Sequence, residues 1–353
     1  MRREIRWWLH LALAAALLAS QARATDSDAL DGTCPVCGTP VTVYRLRSTN
    51  SFGGQDRDLF TQAYGDQGFI VVTASCPKCL YTARSEDFLP AEKRRAQAPP
   101  GAAKAVSDGV KRAILEEHAL QVPEGGRVDG KLVDWAKLDL AAQTATLREE
   151  SDEELGWRSL EVAWAVRSGA TFGAKVPDRY PPDVVALREK RESQDRKANP
   201  ALVDLEAAKL LLGRLSKTPA AEKPLIAALA ASLLRGHGEH GALLSALPRI
   251  LACFPKAQAA AVEKDLRGSI ALEQKYQRAA MERFEKALAG TAPLSKPESR
   301  AMLTYLVGET ARRLGEEDKA RSWLGKVAAV DGVPPFLVRY AKDQLETLAP
   351  VTK

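Results

Sequence analysis

The chain has no G-x-S-x-G elbow, no complete phosphate-binding glycine loop, no H-E-x-x-H helix and no convincing catalytic triad. By motif, those absences exclude the serine hydrolases, the P-loop nucleotidases and the zinc metalloproteases. Aromatic residues are sparse, at 6% of 353 residues, and cysteine occurs five times. Yet 27% of residues are charged and 45% hydrophobic, a balance that belongs to a globular protein and excludes a disordered or collagen-like chain.

Long apolar runs are also lacking, with one exception at the start. Arg2, Arg3 and Arg6 precede an apolar stretch from Trp7 to Ala19 that only His10 interrupts, and Ala22-Arg23-Ala24 follows. Basic residues, a short apolar run and a small-x-small site read as a secretory signal over residues 1–24. The stretch is shorter than the roughly 20 apolar residues of a membrane span. The expected location is periplasmic or secreted, with no stable span after cleavage; the alternative is membrane anchoring by an uncleaved N-terminus. No cysteine follows the run to accept a lipid.

Half of the excess charge goes with the same division. Residues 1–24 contain four basic residues and one acidic residue, so removing them lowers the formal net charge from +6 to +3. The remaining length exceeds the roughly 250–300 residues at which a single core stops growing, which predicts two units or a repeat array.

Composition then divides the chain. Residues 30–90 hold four of the five cysteines and seven of the fifteen Phe and Tyr residues. Val41-Thr42-Val43-Tyr44 and Phe69-Ile70-Val71-Val72-Thr73 read as strands between glycine breaks, around a small aromatic core of their own. Ala91 to Lys104 is a charged connector. Beyond it the pattern is helical, and Ser151-Asp152-Glu153-Glu154 reads as a capping box opening a helix through Trp157, Leu160 and Trp164. Arg188 to Asn199 is polar, either a solvated helix extension or a linker.

Gly268, Ala271, Ala280, Phe284 and Ala287 recur 40 residues later as Gly308, Ala311, Ala320, Leu324 and Val327. Small residues at these offsets resemble a tetratricopeptide repeat, in which they let paired helices approach and larger ones fill the gap between units. The expected fold is mainly α: a tetratricopeptide-like helical repeat array with a small N-terminal β-rich, zinc-ribbon-like head. The expected boundaries are residues 25–95 for the four-cysteine head, 96–187 for a helical segment and 188–353 for the repeats.

Cys34-Pro35-Val36-Cys37 and Cys76-Pro77-Lys78-Cys79 carry the clearest chemistry. Two intervening residues let each knuckle curl both sulfurs toward one centre, and two knuckles supply a tetrahedral four-sulfur shell. One structural zinc ion per chain, held by Cys34, Cys37, Cys76 and Cys79, is the expected cofactor. Export leaves two other readings open: a pair of disulfides, in one of three pairings, or a catalytic dithiol. Residues 25–95 carry eight basic and nine acidic side chains, which offers no phosphate footprint and no nucleic-acid partner.

These residues carry a resemblance. Cys34-Pro35-Val36-Cys37-Gly38, the run from Phe52 to Asp58, Cys76-Pro77-Lys78-Cys79 with Tyr81, and Asp87-Phe88 resemble a bacterial family known as domain of unknown function 2225. Glu161-Val162-Ala163-Trp164, Tyr305-Leu306-Val307-Gly308-Glu309 and Arg313-Leu314-Gly315 are similar to its helical portion. The resemblance implies a cysteine-rich head followed by tetratricopeptide-like helices, with no activity to carry over; Leu80 stands here where a glycine commonly follows the second knuckle.

Weaker signals have plainer readings. Asp56 and Asp58 read as turn residues capping amides, with a cation or partner as the alternative. His237-Gly238-Glu239-His240 reads as a mobile turn, Cys253 as a buried unpaired thiol and His118 as a cap or surface residue. Together these features predict an exported, non-enzymatic protein-interaction scaffold whose concave helical face engages a protein or peptide. The alternative is an envelope thiol–disulfide protein working through its CPxC pairs. Loss of Cys37 is expected to loosen the head and leave the helices intact.

Overall fold

The computed structural model describes residues 25–51, 55–63, 66–94, 105–172, 181–194 and 200–348. Residues 1–24, expected as a secretory signal, Phe52-Gly53-Gly54, residues 95–104 of the connector and residues 195–199 of the polar stretch lie outside the described residues.

The fold is mainly α with a small β-containing head. Strands β1 (Thr25–Thr33) and β2 (Pro40–Thr49) pair antiparallel in register Thr33↔Pro40 through Thr25↔Thr49, with a bulge between Asp26 and Ser27. β3 (Thr73–Ser75) and β4 (Thr82–Arg84) form a second two-stranded ribbon joined by the second knuckle. The run expected as a strand from Phe69 folds instead as a helical turn, α1 (Gly68–Val71), before β3 begins at Thr73. Tertiary contact overrides β propensity there, because the turn aims Phe69 edge-on at Phe60 and Trp164.

After α2 (Asp108–Leu115) and a minimal ribbon, β5 (Arg127–Val128) with β6 (Lys131–Leu132), the chain is helical. It runs through α3 (Asp134–Leu147), α4 (Asp152–Gly169), α5 (Pro182–Gln194), α6 (Pro200–Arg214), α7 (Lys223–Gly236), α8 (His240–Leu251), α9 (Lys256–Ala289), α10 (Ser299–Arg313), α11 (Glu317–Lys326) and α12 (Pro335–Leu348). The capping box forms as expected: the Glu154 amide donates to Ser151 Oγ at 3.2 Å, and Glu154 accepts from the Ser151 amide. The first half of the polar stretch is helix, since α5 extends to Gln194.

The 40-residue repeat divides unevenly. Its second copy is a helix–turn–helix, α10 to α11, in which Gly308 lets the helices meet; a Cβ there would stand 2.8 Å from Leu324 Cγ and 2.9 Å from its amide nitrogen. Its first copy lies on the single unbroken helix α9, and Gly268 faces open space. The hairpin that matches α10–α11 in structure is α7–α8, 77 residues earlier. In one turn the Gly238 amide donates to the Arg235 carbonyl at 2.9 Å and Glu239 to Leu234 at 2.8 Å; in the other Gly315 donates to Arg312 at 3.0 Å and Glu316 to Ala311 at 2.8 Å. Both are Schellman closures requiring a left-handed residue, and Gly238 and Gly315 supply it at φ 73° and 78°. Ala231, Leu243 and Leu247 are buried in the first hairpin where Gly308, Ala320 and Leu324 stand in the second. Sequence offsets missed this pair because the first copy carries larger residues, Ala231 and Leu243, where the second has Gly308 and Ala320.

The head does not keep its aromatic core to itself. Phe60 is buried in the cluster formed by α4, α9, α10, α11 and α12, stacked 5.4 Å from Trp164. The cysteines, Tyr81 and Phe88 share a second cluster with Val110 and Ile114 of α2 and Leu140 of α3. The expectation that the head has a small aromatic core of its own is therefore corrected: head side chains fill both interfaces.

Candidate functional site

Each knuckle is built by the same pair of backbone hydrogen bonds. The Cys34 amide donates to Thr39 O at 2.9 Å and Gly38 to Cys34 O at 3.0 Å; Cys76 donates to Tyr81 O at 2.8 Å and Leu80 to Cys76 O at 3.1 Å. The closing residue is left-handed in both, Gly38 at φ 72° and Leu80 at φ 62°. Leucine in that region costs roughly 1–2 kcal/mol where glycine costs little. Contact of Leu80 with the apolar cluster around the cysteines offsets part of that cost.

The curls bring all four sulfurs within 4.8 Å of one another. The nearest pairs run across the knuckles, Cys34 to Cys79 at 3.6 Å and Cys37 to Cys76 at 3.5 Å. Sulfurs at about 2.3 Å from a tetrahedral zinc ion stand about 3.8 Å apart, so the set is close to the spacing a metal needs. Cys34 and Cys76 are buried, and Cys37 and Cys79 are partly so. The hydrogen bond from Cys79 lowers the Cys34 thiol to about 5 against the opposing effect of burial, and the same bond pushes Cys79 up. Four crowded sulfurs that already hold one another's protons unequally form a donor set that a soft divalent cation can take over.

The wall behind the knuckles is rigid. Tyr81 is fully buried, its ring centroid 5.5 Å from that of Phe88, and its hydroxyl oxygen accepts from Arg148 at 3.1 Å while Arg148 also pairs with Asp87 at 2.7 Å. The amide of Thr82 donates to Thr144 Oγ1 of α3 at 3.3 Å. The residues that carried the resemblance beside the second knuckle thus orient it.

A second constellation lies in the helical interior. Asp56, Arg57 and Asp58 form the tip of a turn closed by the Gln55↔Thr61 bridge and by the Asp56 amide donating to Phe60 O at 2.8 Å. Among the described residues the two aspartate side chains meet guanidiniums, where a turn reading expects them to cap amides. Arg167 of α4, with no exposed surface, pairs with Asp56 at 2.6 Å, with Asp58, and through Nε with Glu273 of α9 at 2.8 Å. Trp164 Nε1 donates to Asp58 at 3.1 Å, and Arg313 stands 3.7 Å from it. Arg57 pairs with Asp343 at 2.9 Å, lies 4.1 Å over the Tyr340 ring, and its carbonyl accepts from Tyr305 at 2.6 Å.

The pairing continues outward. Glu273 also meets Arg235 of α7 at 3.2 Å, while Glu309 holds Arg312 at 2.9 Å and Arg313 at 2.7 Å. Burial opposes each of these charges, but the surrounding guanidiniums hold the Asp58, Glu273 and Glu309 carboxyls below their usual range. Asp56 moves the other way, because desolvation outweighs its attraction to Arg167. His240, read as part of a mobile turn, opens α8 with 2% exposure, and burial pushes its imidazole down to about 4. His237 is separate from it and pairs with Asp204 at 2.9 Å.

Sequence reasoning missed this network as a unit, although its parts were named. Asp56, Arg57, Asp58, Trp164, Tyr305, Glu309 and Arg313 stand in three distant segments of the resemblance, and the fold brings them together. The available signal was charge in apolar company, as with Arg167 after Trp164-Ala165-Val166. Cys253 is partly buried, its thiol donating to Arg249 O at 3.3 Å, and His118 is exposed.

Residues 226–348, from α7 through α12, match the family model described as an uncharacterized protein conserved in bacteria (DUF2225). No curated protein and no solved structure matches the chain.

Proposed function

We propose that the chain, whose residues 226–348 match the DUF2225 family model, is an exported, non-enzymatic scaffold with a structural zinc site. Cys34, Cys37, Cys76 and Cys79 hold one zinc ion. With four protein sulfurs the ion has no open position for water, so it braces the fold and carries out no reaction. The helical hairpins α7–α8 and α10–α11 supply the surface that engages a protein or peptide in the periplasm.

The observation that carries this reading is the twinned knuckle. Two identical curls aim four sulfurs at one centre, and each sulfur's nearest neighbour is in the other knuckle. A dithiol catalyst needs its exchanging pair within one CPxC motif, beside an activating environment. Here the spacing favours a shared cation over two separate redox pairs.

Elemental analysis and thiol counting on full-length protein purified from the periplasm test the proposal. One zinc per chain with four protected thiolates is expected. Absence of metal, with no free thiol among these four, overturns it in favour of disulfides. A reducible CPxC pair with measurable exchange activity establishes the thiol–disulfide alternative.

A further inference from the structure

The inner face of the helical array already holds a segment of its own chain. The Asp56–Asp58 tip enters it as a tight turn with Leu59 in the left-handed region at φ 67°. Polar pairs anchor the tip on separate helices: Asp56 and Asp58 on Arg167 of α4, Arg57 on Asp343 of α12, and the Arg57 carbonyl on Tyr305 of α10. Recognition of this kind is what a bound peptide makes with a helical-repeat groove. The tip also has an open edge, since Gln55 is exposed and the Asp56 side chain keeps 13% of its surface.

The face beneath it is charged in a particular order. Taken without the tip, Arg312 and Arg313 share the two carboxylates Glu309 and Glu239, whereas Arg167 and Arg235 share Glu273 alone, a local excess of one positive charge. The excess sits at Arg167, whose two Nη atoms both point at the Asp56 and Asp58 carboxylates. Asp343 lies to the side, where it takes Arg57 over the Tyr340 ring. The complement of this surface is acid, base, acid in a tight turn.

We propose that the inner face is a docking site for a partner protein presenting an exposed Asp-basic-Asp turn, and that residues 56–58 are an internal ligand which such a partner displaces. The proposal rests on the scaffold reading above and names the chemistry of its partner. Because the tip is tethered between the two knuckles, it competes at an effective concentration on the order of millimolar. A partner therefore gains access when the tether is loosened or when it offers further contacts around the groove.

A fluorescein-labelled peptide of residues 55–62, Gln-Asp-Arg-Asp-Leu-Phe-Thr-Gln, tests it by anisotropy against the full mature chain. Two tip variants weaken the internal ligand without touching the groove: Asp56→Asn with Asp58→Asn, and the milder Arg57→Met, which keeps both carboxylates. Tethered competition predicts binding to the double variant on the order of 100-fold tighter than to wild type. Arg57→Met is expected to bind roughly tenfold tighter than wild type, and a peptide with both aspartates changed to asparagine roughly tenfold more weakly than the parent peptide. If the folded variants bind the peptide no better than wild type, or bind the asparagine peptide equally well, the inner face is not a carboxylate-reading site and the proposal fails. A periplasmic pull-down with the same variants separates the two readings. A reproducible partner that excess peptide does not displace upholds the scaffold and sinks the inner-face site; peptide binding with no partner recovered leaves the face to its own turn and overturns both readings.

Discussion

Replacing Arg167 by methionine removes the charge at the centre of the interior network while keeping most of the side chain's length. Four buried guanidiniums, Arg167, Arg235, Arg312 and Arg313, stand against four interior carboxylates, Asp56, Asp58, Glu273 and Glu309, with the more exposed Glu239 on Arg312 at the edge. After the substitution three face four. Asp58 keeps only Trp164 and the more distant Arg313, and Asp56 keeps Gln62 at 2.7 Å. Removing one partner of a buried pair costs about 3–5 kcal/mol, because the charge left behind is neither solvated nor paired. On a chain of this size, that loss lowers the thermal midpoint by roughly 4–8 °C. The cost depends on pH with a definite sign. Without Arg167 the carboxyls of Asp58 and Glu273 titrate higher than in wild type, so the gap between the two proteins is widest near neutrality and narrows as the pH falls and one carboxyl protonates. Urea unfolding followed by far-UV circular dichroism at pH 7 and pH 5 measures both effects, with Arg267→Met, at a solvated surface pair, as the control. Adding Asp58→Asn restores three against three and is expected to recover about 1–3 kcal/mol. A midpoint for Arg167→Met indistinguishable from that of the control, or a loss that grows toward acid pH, would mean that Arg167 does not neutralise buried carboxylates.

His240 makes a separate pH prediction. Burial holds its folded value at about 4, below the roughly 6.5 of an unfolded histidine, so the unfolded chain takes up the proton first as pH falls. Its contribution, on the order of 3 kcal/mol, is present above pH ~6.5 and lost progressively down to pH ~4. His240→Gln should flatten that part of the stability curve, and equal slopes for variant and wild type would contradict the assignment. The repeat offers a paired test in Gly308→Ala and Gly268→Ala. The first meets the Leu324 backbone and should destabilise by about 1–3 kcal/mol, whereas the second stands in open helix and should stabilise by up to about 1 kcal/mol. Similar melting shifts for both would mean that the 40-residue pattern marks two equivalent helix pairs after all. At the first knuckle, a Cβ on Gly38 meets nothing within 4 Å, so Gly38→Ala should cost only the left-handed backbone, about 1 kcal/mol, and slow metal uptake little; a loss several times larger would show that the curl is held by more than its two hydrogen bonds. Cys37→Ser should reduce helix protection as well as loosen the head, because Phe60 and the Asp56–Asp58 tip reach into the helical core, and hydrogen exchange confined to residues 25–94 would count against that coupling.

How much was legible follows from the range over which each signal acts. The knuckles were readable because two residues between cysteines dictate a local curl, and the structure places the four sulfurs together as the spacing implies. The capping box was readable for the same reason, since its bonds span three residues. The 40-residue repeat misled because small residues mark close approach only when another helix lies opposite: Gly308 has Leu324 beside it, while Gly268 has nothing within 4 Å. The interior network was the least legible feature, since a buried guanidinium such as Arg167 needs partners 109 and 111 residues back and 106 residues ahead. Charge on an amphipathic helix normally means a solvated face, and the apolar run before Arg167 does not by itself say that it is buried while Arg158 keeps a fifth of its side-chain surface. What separates them is the tip that the head inserts between the helices. The two constellations are therefore one mechanical arrangement: the knuckles at Cys37 and Cys76 bracket the chain that carries Asp56 to Asp58, so a cation bound there shortens the tether on which the interior pairs depend.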